Sequence, residues 1–301
     1  MRARYDYAIL GGGVAGGEAV EAIRSRDPAA TVVLFNAEPH RPYNRPPLSK
    51  GLLLDLVEPE RVFLQPAGYY EQRGIDLYTG TRVARLDARE QALELKDGSR
   101  VGFARLLYAP GSSPRRLNLP GSHLEQIYTL RTLDDSLAIR QAMRESETAV
   151  VIGGAFVAAE VASAFAQEGL TTTMVFPGRH LFEGLLDGQL GRYLNHLFQE
   201  QGVRLLRGQR PVRFEGRRRV SAVVTDGGEK LYCDLVVVGI GAQPNVELAR
   251  EAGLAESTDG GLLADCYLRS SHPNIYLAGD VASYADLIFE QGHLRVEHWD
   301  A

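Results

Sequence analysis

One pattern occurs twice in this chain, and it leaves little choice of fold. An apolar run leads straight into glycines and then into a helix-forming stretch that reaches a glutamate. The first copy reads Tyr7-Ala8-Ile9-Leu10-Gly11-Gly12-Gly13-Val14-Ala15-Gly16-Gly17-Glu18, the second Ala149-Val150-Val151-Ile152-Gly153-Gly154-Ala155-Phe156-Val157-Ala158-Ala159-Glu160. A second β-rich run follows each, at residues 31–35 and 171–176. Strand, turn, helix and strand in that order make a βαβ unit with parallel strands. Two such starts predict an α/β protein of two Rossmann-like, three-layer ββα nucleotide-binding domains, and 301 residues suffice for two cores.

Residues 81–86, 92–95 and 106–109 alternate or run apolar between glycine-bearing turns, which predicts a small antiparallel layer. Residues 212–224 and 231–240 repeat that layout in the second half. Proline-rich stretches at 39–47 and 114–120 predict stiff, ordered loops.

Composition removes other classes. With 33 Lys+Arg against 38 Asp+Glu the formal charge is −5, so the chain lacks the positive field that sequence-independent nucleic-acid binding requires. Its longest apolar runs, such as residues 235–240, fall far short of the roughly 20 that cross a bilayer, and no signal-peptide core precedes Tyr7. A cytoplasmic protein without a membrane span is expected. Cys233 and Cys266 form no Cys-x-x-Cys pair and have no His-rich neighbourhood, so neither a redox dithiol nor a metal site is expected.

In Gly11-x-Gly13-x-x-Gly16 the first glycine makes the tight turn, the second lets backbone approach a pyrophosphate, and the third lets helix and strand pack closely. The helix beginning at Val14 and Ala15 then turns free N–H groups and its positive dipole end toward the anion. Glu38, just beyond the second strand, sits where a ribose hydroxyl would be bound. In Pro42-Tyr43-Asn44-Arg45-Pro46-Pro47-Leu48-Ser49-Lys50 the prolines stiffen a loop that can present Arg45 to a phosphate and Lys50 as a point charge.

At this segment the chain resembles the FAD-dependent pyridine nucleotide-disulfide oxidoreductases, in the branch of ferredoxin and rubredoxin reductases, apoptosis-inducing factor and monodehydroascorbate reductase. In that branch an Arg-Pro-x-Leu-Ser-Lys segment lies along the flavin. The stretch Pro273-Asn274-Ile275-Tyr276-Leu277-Ala278-Gly279-Asp280 is similar to the second flavin fingerprint, which implies that Gly279 and Asp280 meet the ribityl chain. The resemblance places Val83 and Arg131 at the flavin, and matches the family's two chain crossings to Ala109-Pro110-Gly111 and Val238-Gly239-Ile240-Gly241. It also implies that Glu297, His298 and Trp299 line the flavin, and that Lys50 and Glu160 form the tuning pair beside it.

The same resemblance implies an FAD-binding domain of residues 1–112 and 243–301, interrupted by an NAD(P)H-binding domain of residues 113–242. Hydride would pass from NAD(P)H to non-covalent FAD, and electrons then to an external acceptor. Residues 36–64 hold no cysteine, so a thiolate relay is excluded and electrons leave the flavin directly. The acceptor stays open between a ferredoxin- or rubredoxin-type protein and a small molecule such as a quinone or monodehydroascorbate. Arg204, Arg207, Arg210, Arg213, Arg217, Arg218 and Arg219 would steer an acidic carrier, or form a solvated hairpin face.

The second repeat reads Gly153-x-Ala155-x-x-Ala158, with Gly154, Phe156 and Val157 placed toward the nicotinamide nucleotide. Ala155 adds a methyl where backbone and pyrophosphate approach. With the likeness to apoptosis-inducing factor, that keeps a slow-turnover flavin sensor or interaction protein as an alternative. Val175-Phe176-Pro177-Gly178-Arg179-His180 carries no carboxylate for a ribose, and Arg179 and His180 could meet a 2′-phosphate, so NADH and NADPH stay unresolved. The family normally continues into a flavin-facing helix and an interface domain. This chain stops at Asp300-Ala301, so a C-terminal interface domain is expected to be absent and the oligomeric state is left open.

Overall fold

The computed structural model describes residues 1–286 and 292–295. Glu297, His298 and Trp299 lie outside the described residues. The chain forms two compact units, Met1–Asn44 with Val62–Ser113 and Gln243–Ala301, and Arg45–Arg61 with Pro114–Ala242.

The first unit opens with β1 (Arg4–Leu10), α1 (Val14–Arg26) and β2 (Val32–Phe35), then α2 (Tyr69–Gln72), β3 (Ile75–Tyr78), β4 (Val83–Asp87), β5 (Ala92–Leu95) and β6 (Arg100–Tyr108). Parallel pairing runs β3-β2-β1-β6, while β4, β5 and the start of β6 form an antiparallel meander. Alternation sorts the side chains. Ile9, Val32 and Leu34 pack with Val20 of α1, whereas Ala8, Leu10, Val33 and Phe35 pack with Val83, Leu93 and Leu95 of the meander. A strand buried on both faces must be apolar throughout, which is why β2 reads Val-Val-Leu-Phe.

The second unit is entered through β7 (Ser112–Pro114). It comprises β8 (Ile127–Tyr128), α3 (Leu133–Arg144), β9 (Thr148–Ile152), α4 (Phe156–Gln167), β10 (Thr171–Phe176), α5 (Gly188–Glu200), β11 (Arg204–Arg207), β12 (Pro211–Gly216), β13 (Val220–Thr225), β14 (Lys230–Tyr232) and β15 (Leu235–Val238). A five-stranded parallel sheet in the order β11-β10-β9-β15-β8 carries β12, β13 and β14 as a separate antiparallel meander. Phe214, Val223 and Leu231 of that meander close over Val150, Val175 and Val236 of the sheet. The chain returns through β16 (Ala242–Pro244) to the first unit, where β17 (Leu262–Ala264) precedes β18 (Ile275–Leu277), paired parallel with the end of β6.

Two expectations change. Residues 106–109 were placed in the antiparallel layer, but Leu106 to Tyr108 pair parallel with both β1 and β18; only the start of β6, at Arg100, Val101 and Gly102, is antiparallel. Nine residues let β6 serve the meander at one end and the parallel sheet at the other. Residues 45–61 pack with the second unit although they lie within 1–112: buried Ser136 of α3 donates to the Leu48 carbonyl at 2.7 Å, and Arg140 and Arg144 both pair with Asp55.

Candidate functional site

In the first unit β1 ends against a turn that only glycine can make. Gly11 has φ +119, and a Cβ there would lie 2.0 Å from the Ala109 carbonyl oxygen; at Gly16 it would lie 2.0 Å from the Gly11 oxygen. At Gly13 a Cβ would meet nothing within 4 Å. Two glycines are thus demanded by the protein's own packing, and the middle one faces open space at the mouth of α1.

The second unit repeats the turn with substitutions. Gly153, φ +133, is held against the Gly239 oxygen. Ala155 has φ −121 and ψ −164, extended backbone that alanine adopts without strain. The Ala158 methyl is received by a second glycine: a Cβ at Gly239 would lie 3.2 Å from it. Gly154 backs onto the Phe176 ring, 3.0 Å from where its Cβ would be. Phe156 and Val157 are exposed, and Phe156, at 62% exposure, meets Phe182 edge to face at 5.1 Å.

Capping separates the helices. Thr132 caps α3 in a reciprocal box with Asp135, and Asp187 caps α5 by accepting from the Gln189 and Leu190 N–H groups. The two helices behind the glycine turns, α1 and α4, have neither a side-chain cap nor an acidic residue in the first turn. A helix start without a cap leaves N–H donors that an anion can satisfy.

Also in the second unit, Lys50 and Glu160 form an ion pair at 2.8 Å, half-exposed on the lysine side. Ser49 donates to the other carboxylate oxygen of Glu160, and Lys50 also approaches the Pro46 carbonyl at 3.4 Å. Prolines 46 and 47 start a 3-10 turn, Pro46–Ser49, that directs both side chains toward α4. An apolar cavity of about 460 Å³, walled by Leu54, Leu194 and Phe198, opens beside this pair. Arg45 donates to the Arg131 carbonyl at 2.6 Å, while Asp135 accepts from the Arg131 N–H at 3.0 Å, so the α3 cap also fixes Arg131.

Ala109, Gly111, Gly279 and Asp280 lie at the ends of β6 and β18, whereas Glu38 and Val83 lie elsewhere in the first unit. Ser112 donates to Asp280 at 2.5 Å, and Gly279, φ +68, places its missing side chain next to Ala15 of α1. Asn245 braces the Ala109-Pro110-Gly111 crossing. Its side-chain amide donates to the Pro110 carbonyl at 3.1 Å, its N–H to the Gly111 carbonyl at 2.9 Å, and its side-chain oxygen accepts from Ser113 at 2.7 Å. Gly111 itself has φ +70. On the second-unit side of the return, Gly241, φ +93, accepts from the Arg115 N–H at 2.9 Å. Glu38 accepts a hydrogen bond from the buried Tyr43 hydroxyl, and Val83 is a core residue of the meander.

Sequence reasoning missed Ser49, Ser112, Ser136 and Glu183. Ser49, Ser112 and Ser136 each act through one hydrogen bond across the fold and carry no local spacing signal, whereas Glu183 pairs locally with Arg179, four positions before it. His180 is a correction: it is buried, its Nδ1 lies 3.0 Å from the Leu181 carbonyl oxygen, and its ring fills the space left by Gly191, so it is not available to a phosphate. The basic run is partly neutralised, with Arg204 on Glu229, Arg213 on Glu215, and Arg218 and Arg219 on Glu125. Burial pushes the Cys233 thiol up to about 12, which leaves it unreactive near neutrality.

Residues 5–301 match the family model for pyridine nucleotide-disulphide oxidoreductases. The chain belongs to this family. It is 35% identical to the anthranilate 1,2-dioxygenase system ferredoxin–NAD(+) reductase component of Burkholderia cepacia, across 97% of this chain and 71% of that protein. It is 32% identical to the rubredoxin–NAD(+) reductase of Pseudomonas putida, across 93% of this chain and 73% of that one. Among solved structures it is similar to a ferredoxin reductase from Rhodopseudomonas palustris, with TM-score 0.92, 32% identity and coverage of 98% and 72%. It is also similar to the putidaredoxin reductase of a covalent complex with putidaredoxin, with TM-score 0.94, 29% identity and coverage of 99% and 72%. The family and its ferredoxin reductase branch agree with the resemblance drawn from the Arg45 to Lys50 segment.

Proposed function

We propose that the chain is an FAD-dependent NAD(P)H oxidoreductase that passes electrons to a ferredoxin- or rubredoxin-type protein. The observation that carries this reading is the pair of glycine turns whose helices, α1 and α4, alone among the described helices of twelve or more residues lack both a side-chain cap and a first-turn acid. The donor set fits two dinucleotides, because the open mouth at Gly13 and its counterpart at Ala155 each present helix N–H groups to an anion.

On this reading residues 1–112 and 243–301 bind FAD and residues 113–242 bind NAD(P)H. Gly11, Gly13, Val14, Ala15 and Gly16 would hold the flavin dinucleotide's pyrophosphate, Glu38 its ribose and Asp280 its ribityl hydroxyls, with Arg45, Val83, Ala109, Gly111, Arg131, Gly241 and Gly279 around it. Gly153, Gly154, Phe156, Val157 and Arg179 would receive the nicotinamide nucleotide. FAD, when bound, supplies a two-electron acceptor for hydride and a donor to one-electron carriers. Lys50, fixed by Glu160 and the Pro46 carbonyl, supplies a localised positive charge where negative charge would build. Ser49 and Lys50 occupy both carboxylate oxygens of Glu160 and so keep it from turning that charge away. The reading carries with it a cytoplasmic location, where NAD(P)H is available.

The relatives named for ferredoxin and rubredoxin, and the putidaredoxin complex, support a protein acceptor. An acceptor panel tests it. With NADH in excess, a two-iron two-sulfur ferredoxin or a rubredoxin should be reduced at least tenfold faster than menadione or the ascorbyl radical. Equal or faster turnover with the small molecules would replace the protein acceptor by a quinone- or monodehydroascorbate-type one.

A further inference from the structure

The strand end that should face the adenosine ribose of the second nucleotide offers no carboxylate in sequence, yet the fold brings one there. In a βαβ nucleotide site the residues after the second strand meet the ribose, where a carboxylate suits the 2′-hydroxyl and an arginine suits a 2′-phosphate. Here β10 ends at Phe176, which is buried behind Gly154 and cannot serve. His180 is buried as well. Arg179 is 90% exposed, and Glu183 folds back upon it: Oε1 accepts from Nε at 2.9 Å and Oε2 from the backbone N–H at 3.1 Å. The return is close because Gly178 has no side chain; a Cβ there would lie 2.9 Å from Glu183 Oε2. Arg207 also lies at this point, its Nη1 3.4 Å from the Arg179 carbonyl oxygen.

We propose that Glu183 is a specificity determinant that turns this site toward NADH. It supplies a carboxylate at the strand end and engages the Nε of Arg179, an exposed arginine that would otherwise meet a 2′-phosphate. The inference rests on the proposed use of the second turn for the nicotinamide nucleotide. The bonds from the Arg179 side chain and backbone hold the Glu183 carboxyl below the usual carboxylate range, so it is ionised wherever the protein is folded near neutrality. A 2′-phosphate would then face a fixed negative charge beside Arg179, whereas a 2′-hydroxyl would find an acceptor. Because Arg179 keeps its Nη groups and Arg207 lies close, NADPH is disfavoured and not excluded.

The test compares kcat/KM for NADH and NADPH in the holoenzyme, alongside dissociation constants for NAD+ and NADP+. Wild type should prefer NADH. Glu183→Gln should raise the NADPH to NADH ratio about tenfold through KM with kcat little changed, Glu183→Asp should fall between, and Arg179→Gln added to Glu183→Gln should cancel the gain. A ratio unmoved by Glu183→Gln, or a wild type that already prefers NADPH, would overturn the proposal. If neither nucleotide reduced the flavin, the hydride-transfer reading would fail separately. The NAD+ and NADP+ constants would still decide Glu183, since equal shifts in both on Glu183→Gln refute it.

Discussion

Gly11 and Gly13 lie in one turn, and the structure separates their roles, so replacing each by alanine should give opposite results. At Gly11 alanine would have to hold φ +119 and place its methyl 2.0 Å from the Ala109 oxygen. A backbone strain of about 1–3 kcal/mol and overpacking of about 1–3 kcal/mol together give about 2–6 kcal/mol. For a cooperative unit of roughly 150 to 250 residues, about 2–4 °C of melting temperature accompanies each kcal/mol, so Gly11→Ala should lower it by roughly 5–20 °C even without flavin. At Gly13 the backbone, φ −80 and ψ −173, suits alanine and no atom lies within 4 Å of the added methyl. Exchanging glycine for alanine at a helix start costs under about 1 kcal/mol. Gly13→Ala should therefore melt within about 3 °C of wild type as apoprotein, yet hold FAD roughly 5- to 150-fold more weakly, as about 1–3 kcal/mol of crowding at a bound pyrophosphate would give. Differential scanning calorimetry of apoprotein and flavin titration by absorbance read the two effects. A Gly11→Ala apoprotein as stable as wild type, or a Gly13→Ala protein that keeps its flavin, would refute the division between packing glycine and ligand glycine.

Other outcomes follow from the same geometry. Ala155→Gly should leave the melting temperature within about 3 °C of wild type and tighten NADH binding at least fivefold, measured by equilibrium titration; an unchanged constant would mean that the Ala155 methyl is no obstacle. Lys50→Ala should cost under about 1 kcal/mol of stability, since the Lys50–Glu160 pair is well solvated, while slowing anaerobic flavin reduction at least tenfold; an unchanged rate would remove the role given to Lys50. Asp234 accepts from the Glu147 and Thr148 N–H groups and the Thr148 hydroxyl, and although burial raises its carboxyl, these donors hold it below the ordinary range. A carboxyl lowered in the folded chain stabilises it above the unfolded value, near pH 4, and loses that contribution as pH falls through the folded one. Asp234→Asn should thus lose about 1 kcal/mol at pH 7 and little at pH 3, read from urea melts at both; an equal loss at both values would contradict this.

The two glycine turns, the apolar strands beside them and the Arg45 to Lys50 segment were legible because each states its purpose locally. A strand buried on both faces has to be apolar, and a turn pressed against a carbonyl has to be glycine. The double use of β6 was not legible, since parallel and antiparallel pairing ask for similar residues and only the distant return of β18 decides. The attachment of residues 45–61 to the second unit was hidden for the same reason, as it depends on Ser136, Arg140 and Arg144 almost ninety positions away. Lys50 and Glu160 were paired by resemblance and lie together at 2.8 Å, whereas Glu183 could be found only by seeing the chain fold back over Gly178. Long-range pairing hid the double use of β6 and the attachment of residues 45–61, whereas Glu183, only four positions from Arg179, was hidden by local backbone geometry at Gly178.

On the proposed function, this chain holds a flavin that a nicotinamide nucleotide reduces. The measurement that tests this most directly is stopped-flow absorbance of the purified, FAD-loaded protein mixed anaerobically with NADH. The protein should be yellow with one FAD per chain, and its visible flavin band should bleach in a fast, saturable phase and return on adding oxidised ferredoxin. A protein that takes up no FAD, or a flavin band that NADH and NADPH both leave unchanged, would contradict the proposed function.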